Sequence, residues 1–166
     1  MKKLKKTYLL LGSNLGDRKL NLTSAADQVT RLVGNIVRKS NIYETEAWGK
    51  KDQPEYYNQV LEVKTLLSPE ELLSAIHAIE DKTGRQRRQQ YEARILDIDI
   101  IFYDDLVIRE PDLTIPHPHL HERNFTLIPL MELIPMKMHP VLNKTIEDLY
   151  MESQDPLEVI LLEENQ

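Results

Sequence analysis

The sequence predicts an α+β fold, two helices lying on one face of an antiparallel sheet, and three observations carry that prediction. Apolar residues recur with period two in some short segments and with helical spacing in others, in the order β-α-β-β-α-β. Helix-start signals stand at Asp17 and Ser68. Gly34 and Gly84 close the two helical stretches. The length of 166 residues suits one domain, 1–166, with its core at about 7–151.

Each element has its own warrant. Thr7 to Leu11 is a short apolar strand ending in the turn signal Gly12-Ser13-Asn14. Asp17 caps a helix whose stripe is Leu22, Ala25, Ala26, Val29, Leu32 and Val33. Asn35 to Tyr43 reads as the second strand, and Glu44 to Asn58 as a long irregular loop of the kind that carries function. Gln59 to Leu67 alternates, with Leu61, Val63 and Thr65 on one face and Glu62 and Lys64 on the other. Ser68-Pro69-Glu70-Glu71 joins an N-cap serine, a proline at the first helical position and a capping-box glutamate. Leu72, Leu73, Ile76 and Ile79 are the buried stripe of the helix that follows. Ile95 to Tyr103 is the fourth strand, turned at Asp104-Asp105. This order is the ferredoxin-like arrangement. Beyond it, a proline-rich remainder predicts short strands and helices with sharp stops, a helix near 145–150, and a late edge strand within 157–162.

Composition narrows the function classes. The chain has no cysteine, which excludes disulfides, thiolate metal sites and cysteine nucleophiles. A formal net charge of −6 argues against a nucleic-acid binder. Neither a signal-peptide core nor a 20-residue apolar span is present, so no membrane association and a cytoplasmic location are expected.

The chemistry concentrates near the fourth strand. Asp97 and Asp99 alternate with Ile98, so the two carboxylates share a face about 7 Å apart. Leu96, Ile98, Ile100 and Phe102 are expected on one face, and Asp97, Asp99, Ile101 and Tyr103 on the other. Paired carboxylates in an apolar strand call for a cation, and oxygen-only donors favour magnesium with phosphate oxygens completing its shell. Arg85, Arg87, Arg88 and Arg94 enter this strand directly. An arginine run is often only a solvated face, but beside two metal-binding carboxylates it supplies the other half of a phosphoryl-transfer site. His117, His119 and His121 raise the alternative of zinc, which the prolines on either side of His117 disfavour; a phosphate contact with Arg123 nearby fits better. In the long loop, Thr45, Trp48, Tyr56, Tyr57 and Asn58 would suit a flat heterocycle, or would pack the loop on the sheet. Gly12 to Asp17 is not a P-loop, since no Gly-Lys-Ser/Thr follows.

Taken in order, these motifs resemble the 6-hydroxymethyl-7,8-dihydropterin pyrophosphokinase family. The resemblance is carried by Gly12-Ser13-Asn14-Leu15-Gly16-Asp17, by Tyr43-x-Thr45, and by Asp52-Gln53-Pro54-x-Tyr56-x-Asn58. It continues through Glu80, Gly84-Arg85, Arg94-x-x-Asp97-x-Asp99-Ile100, Pro116-His117-Pro118 and Glu122-Arg123-x-Phe125. It implies an attack of the pterin hydroxymethyl oxygen on the β-phosphorus of ATP, with AMP leaving. It further implies two magnesium ions on Asp97 and Asp99, and catalytic-loop arginines at Arg85 and Arg94. ATP contacts would fall at Glu80, Arg88, Ile100, Thr114, His117 and Arg123, and pterin contacts at Thr45, Trp48, Tyr56, Asn58 and Phe125. A monomer acting on ATP and the reduced pterin is expected. Two competing readings are an ATP-magnesium-binding sensory module without catalysis and a metal-dependent nuclease, the latter disfavoured by the acidic balance.

Overall fold

The computed structural model describes residues 2–46, 54–83 and 95–162. Trp48, Arg85, Arg88 and Arg94, and with them the Gly84 helix stop, lie outside the described residues. Strand β1 (Lys5–Ser13) is followed by helix α1 (Arg18–Leu32), β2 (Gly34–Lys39), β3 (Tyr43–Thr45), β4 (Tyr56–Thr65), α2 (Pro69–Lys82) and β5 (Asp97–Tyr103). A hairpin of β6 (Ile108–Glu110) and β7 (Leu113–Ile115) comes next, then a 3-10 turn at Leu120–Glu122, α3 (Asn124–Leu133), α4 (Ile146–Glu152) and β8 (Val159–Leu161). The six-stranded sheet runs β5-β1-β4-β3-β8, with β2 also on β4, and every pairing is antiparallel. This is the ferredoxin-like α+β core that the element order predicts.

Both sheet faces are covered. On one, Leu9, Leu11, Leu61 and Val63 pack against Leu22, Ala25 and Val29 of α1 and Leu72, Ile76 and Ile79 of α2. On the other, Tyr8, Leu10 and Val60 meet Leu127 and Leu130 of α3 and Ile146 and Leu149 of α4. A strand buried on both faces must be apolar throughout, which explains the unbroken run in β1. The helix-start signals hold: Asp17 accepts the Leu20 N–H at 3.1 Å, and Ser68 and Glu71 form a reciprocal capping box. Thr145 and Asp148 form another at the start of α4.

Several local expectations are corrected. Gly12 and Ser13 belong to β1, and the turn follows at Asn14 to Asp17, where Gly16 takes a φ of 76°. Gly34 opens β2 instead of capping α1, whose cap is Val33. A Cβ on Gly34 would fall 2.0 Å from the Lys64 carbonyl oxygen, so glycine is there for strand-to-strand approach. The strand expected over 35–43 breaks after Lys39. Ser40 substitutes its hydroxyl for ladder bonding by accepting the Val60 N–H at 2.9 Å, and the Asn41 N–H leaves the sheet for Glu132. Part of the expected loop is strand: Tyr43, Glu44 and Thr45 pair with Asn58, Tyr57 and Tyr56. In β5 the register skips Ile101, with Tyr8 opposite Phe102 but Leu9 opposite Ile100. This bulge turns Ile101 and Phe102 together into the α3–α4 side and Tyr103 into the α1–α2 side, against strict alternation. Pro129, one of the prolines of the C-terminal remainder, lies inside α3 instead of stopping it, where buried Leu127 and Leu130 outweigh the lost backbone bond.

Two buried polar groups shape the pH response. Glu62 is pushed up by burial, but Arg38 at 2.8 Å outweighs this and holds it below the usual carboxylate range. His139 accepts the Val141 and Leu142 N–H groups on Nδ1 and packs edge-on against Phe102. Burial first, then the charges of His121 and Lys137, pushes it down to about 4. A histidine held neutral in the fold binds fewer protons than in the unfolded chain. Its contribution is therefore complete above pH 6.5 and is lost as pH falls toward 4. Urea unfolding at pH 7 and pH 5 should show a loss of about 1–3 kcal/mol from this residue. His139→Asn, which keeps the acceptor without the titration, should flatten that part of the slope. Gly34→Ala should cost about 2–4 kcal/mol in the same assay, since backbone must move to admit the methyl group.

Candidate active site

β5 is an edge strand, and two of its outward backbone groups are satisfied from elsewhere. The Ile98 N–H donates to Glu80 Oε2 of α2 at 2.9 Å, and the His117 N–H donates to the Ile101 carbonyl at 3.1 Å. Glu80 is buried, only 2% exposed, because this bond and the helix packing hold it against the strand. Along this edge runs a cleft of about 320 Å³, with Asp97, Asp99 and Ile100 on the strand side, Glu80 on the helix side, and Thr114 and His117 opposite. Sequence-predicted residues from three separate segments therefore share one cavity.

His117 enters it with a defined tautomer. Its Nδ1 accepts the His119 N–H at 3.1 Å, so the proton sits on Nε2. Burial, then the positive charges of Arg123 and His119, pushes its pKa down to about 4. Its Nε2 lies 3.8 Å from Asp99 Oδ2. With the ring neutral at pH 7, that approach is a long polar contact and not an ion pair. The imidazole is thus a neutral N–H donor at the cleft wall, beside a carboxylate.

A second group of predicted residues gathers where β1, β3 and β4 meet. Gly12 of β1 pairs with Asn58 of β4. A Cβ on Gly12 would come 3.1 Å from Asn58 Oδ1 and 3.4 Å from the Tyr56 ring, so the missing side chain keeps the amide in place. Asn58 is 3% exposed, and its Nδ2 has no hydrogen-bond partner among the described residues. A buried amide donor left open in this way is suited to a ligand acceptor. Thr45 donates its hydroxyl to the Glu158 carbonyl at 3.0 Å and is buried, on a strand flanked by β4 and β8. Arg123 and Phe125 flank the start of α3, with the guanidinium carbon 5.6 Å from the ring centroid.

Some residues of the cleft were not singled out from sequence. Leu73, His77 and Asp112 line it. The signal for two of them was present, since Leu73 and His77 stand four apart, and His77 and Glu80 three apart, on one face of α2. Asp112 offered none, because only the β6–β7 hairpin brings it near. Nor did sequence reveal the spatial role of Gly12. His119 and His121 turn to Glu122, at 3.0 Å and 3.6 Å, and among the described residues no cluster of three metal-ligating side chains occurs.

Residues 8–135 match the family model of 7,8-dihydro-6-hydroxymethylpterin-pyrophosphokinase, HPPK. The chain belongs to this family. It is 40% identical over 141 residues to 2-amino-4-hydroxy-6-hydroxymethyldihydropteridine pyrophosphokinase of Aquifex aeolicus, covering 85% of this chain and 88% of that protein. The Haemophilus influenzae protein of the same name is 38% identical over 76% of this chain and 79% of its own length. With the bifunctional protein FolKE of Lactococcus lactis the identity is 41% over 90% of this chain, which spans only 44% of that larger protein. Among solved structures, wild-type HPPK-DHPS of Plasmodium falciparum with STZ-DHP superposes with a TM-score of 0.75 at 22% identity, over 91% of this chain and 43% of that one, and supports the fold. An HPPK is a pyrophosphoryl-transferring enzyme of folate biosynthesis, which sets aside the non-catalytic sensory reading.

Glu80→Ala should leave the Ile98 N–H without an acceptor and cost about 1–3 kcal/mol. Faster hydrogen exchange at the Ile98 amide, with little change in β4, is the expected local signature.

Proposed function

We propose that ATP binds along the β5 edge with its phosphates over Asp97 and Asp99, and that 6-hydroxymethyl-7,8-dihydropterin binds beside Asn58, Tyr56 and Phe125. The pterin hydroxymethyl oxygen then attacks the β-phosphorus, AMP leaves, and the pterin diphosphate forms. The observation that carries this reading is the pair of carboxylates on one cleft wall, facing the neutral Nε2–H of His117.

The donor set fits magnesium. Asp97 and Asp99 offer only oxygen, and among the described residues no third ligand group joins them, so phosphate oxygens and water would complete the shell. Two magnesium ions, when bound, would neutralise phosphate charge next to the two carboxylates. The protein's own groups position and stabilise. His117 donates to a phosphate oxygen without adding charge, and its burial excludes water from that side. Thr114 and Ile100 bound the nucleotide, and Arg123 lies close enough to His117 to lower its pKa, placing a fixed cation toward the phosphates. Asn58 gives the pterin ring an amide donor, and the Tyr56 and Phe125 rings give it apolar walls. The arginines at 85, 88 and 94 complete the phosphate contacts in this reading. We expect one domain, acting as a monomer in the cytoplasm; no described helix is long and apolar enough to cross a membrane.

The deciding experiment is identification of the nucleotide product with ATP and the reduced pterin. AMP is expected; ADP alone would overturn the reading. Chelation of magnesium should abolish turnover and its re-addition restore it. Asp97→Asn and Asp99→Asn should each lower kcat about a hundred- to a thousandfold with the circular dichroism spectrum unchanged.

A further inference from the structure

Among the residues assigned to the pterin, Tyr56 and Asn58 stand on β4, while Thr45 ends β3 and Phe125 lies in the first turn of α3, two pieces of chain that no covalent neighbour holds together. The segment 153–162 ties both, and it lies beyond residues 8–135, the part that matches the family model.

At α3 the cap residue Arg123 makes no side-chain capping bond. The cap comes instead from Asp155, 31 residues on, whose Oδ2 accepts the Asn124 N–H at 2.8 Å. The other oxygen of the same carboxylate accepts the Leu157 N–H at 3.0 Å, and Ser153 Oγ accepts the Asp155 N–H at 3.3 Å, which fixes the aspartate's direction. From there the chain runs to β3. The Glu158 carbonyl accepts the Thr45 hydroxyl, Val159, Ile160 and Leu161 pair with Thr45, Glu44 and Tyr43, and the Leu162 N–H donates to the Ile42 carbonyl at 2.9 Å. Glu132, at the far end of α3, closes the frame by accepting the Asn41 N–H at 3.0 Å and the Tyr43 hydroxyl at 2.7 Å.

We infer that segment 153–162 is a positioning strap for the pterin half of the active site, with Asp155 its key residue. The inference rests on the pterin placement proposed above. Asp155 touches no substrate in this reading; it fixes the first turn of α3, and so the angle at which Phe125 meets the pterin. The carboxylate at a helix N-terminus satisfies an orphan N–H and complements the helix dipole. The same strap accepts the Thr45 hydroxyl, which fixes that side chain and the end of β3. Glu80, Asp97 and Thr114, on α2, β5 and β7, stand away from both contacts, and only Arg123 of the groups proposed for ATP adjoins the capped turn. The strap should therefore act much more on pterin affinity than on ATP affinity.

The test is steady-state kinetics with each substrate varied in turn, on the full chain. Asp155→Ala should raise the KM for the reduced pterin about tenfold, within the range of losing one helix cap, while the KM for ATP stays within about twofold. Asp155→Asn, whose amide oxygen still accepts the Asn124 N–H, should recover most of the pterin affinity. Ile160→Pro, which removes the N–H that the β3–β8 register directs at Glu44 without touching the α3 cap, should reproduce the pterin effect even if Asp155→Ala folds poorly. Equal rises in both KM values, or no change in the pterin KM for Asp155→Ala and Ile160→Pro, would overturn the strap. A wild-type chain with no affinity for the reduced pterin would overturn the pterin placement itself, and the strap with it.

Discussion

An edge strand leaves half of its backbone groups without a sheet partner, and the site of this enzyme is built from the way β5 meets that requirement. Glu80 supplies an acceptor for the Ile98 N–H, and the backbone of His117 supplies a donor for the Ile101 carbonyl. Each bond brings a functional segment to the strand: α2 with Leu73, His77 and Glu80 on one side, and the post-hairpin segment with His117 on the other. The cleft is the space left between these two attachments. Because β1 is buried on both faces next to β5, the strand carrying Asp97 and Asp99 has a rigid backing while its outer edge stays open to ligand.

The two halves of the site are held by different means. The side proposed for the nucleotide rests on packed secondary structure, with helix, strand and hairpin each contributing a wall. The side proposed for the pterin depends on long-range polar ties, from Glu132 to Asn41 and Tyr43, from Asp155 to Asn124, and from Glu158 to Thr45. Such ties orient chain ends without filling volume, which suits a flat ligand that needs a slot between surfaces. Gly12 contributes to the same slot by having no side chain to displace Asn58.

The elements whose signals are local were legible in the sequence. The Ser68 capping box, the Asp17 cap, the alternation of β4 and the helix near 145–150 all depend on residues within a few positions of each other. The Asp97/Asp99 pair was legible for the same reason, since strand periodicity puts them on one face whatever surrounds them. What failed was what depends on a distant partner. Gly34 resembled a helix stop until its approach to Lys64 was visible, and the 35–43 strand looked continuous until Ser40 and Glu132 were seen to take over its bonding. The β5 bulge could not be read from an apolar run, because Ile101, Phe102 and Tyr103 suit either face equally well.

The sequence by itself therefore determined the β-α-β-β-α-β frame, the family and the shared strand face of Asp97 and Asp99, because ordered motifs and short-range periodicity survive without coordinates. Only the tertiary structure decided that Glu80 bonds to β5, that His117 is a neutral donor, and that the C-terminal segment braces β3 and α3. Those depend on burial and on contacts that reach as far as Leu162 to Ile42, and no local pattern encodes which distant group will satisfy a buried hydrogen bond.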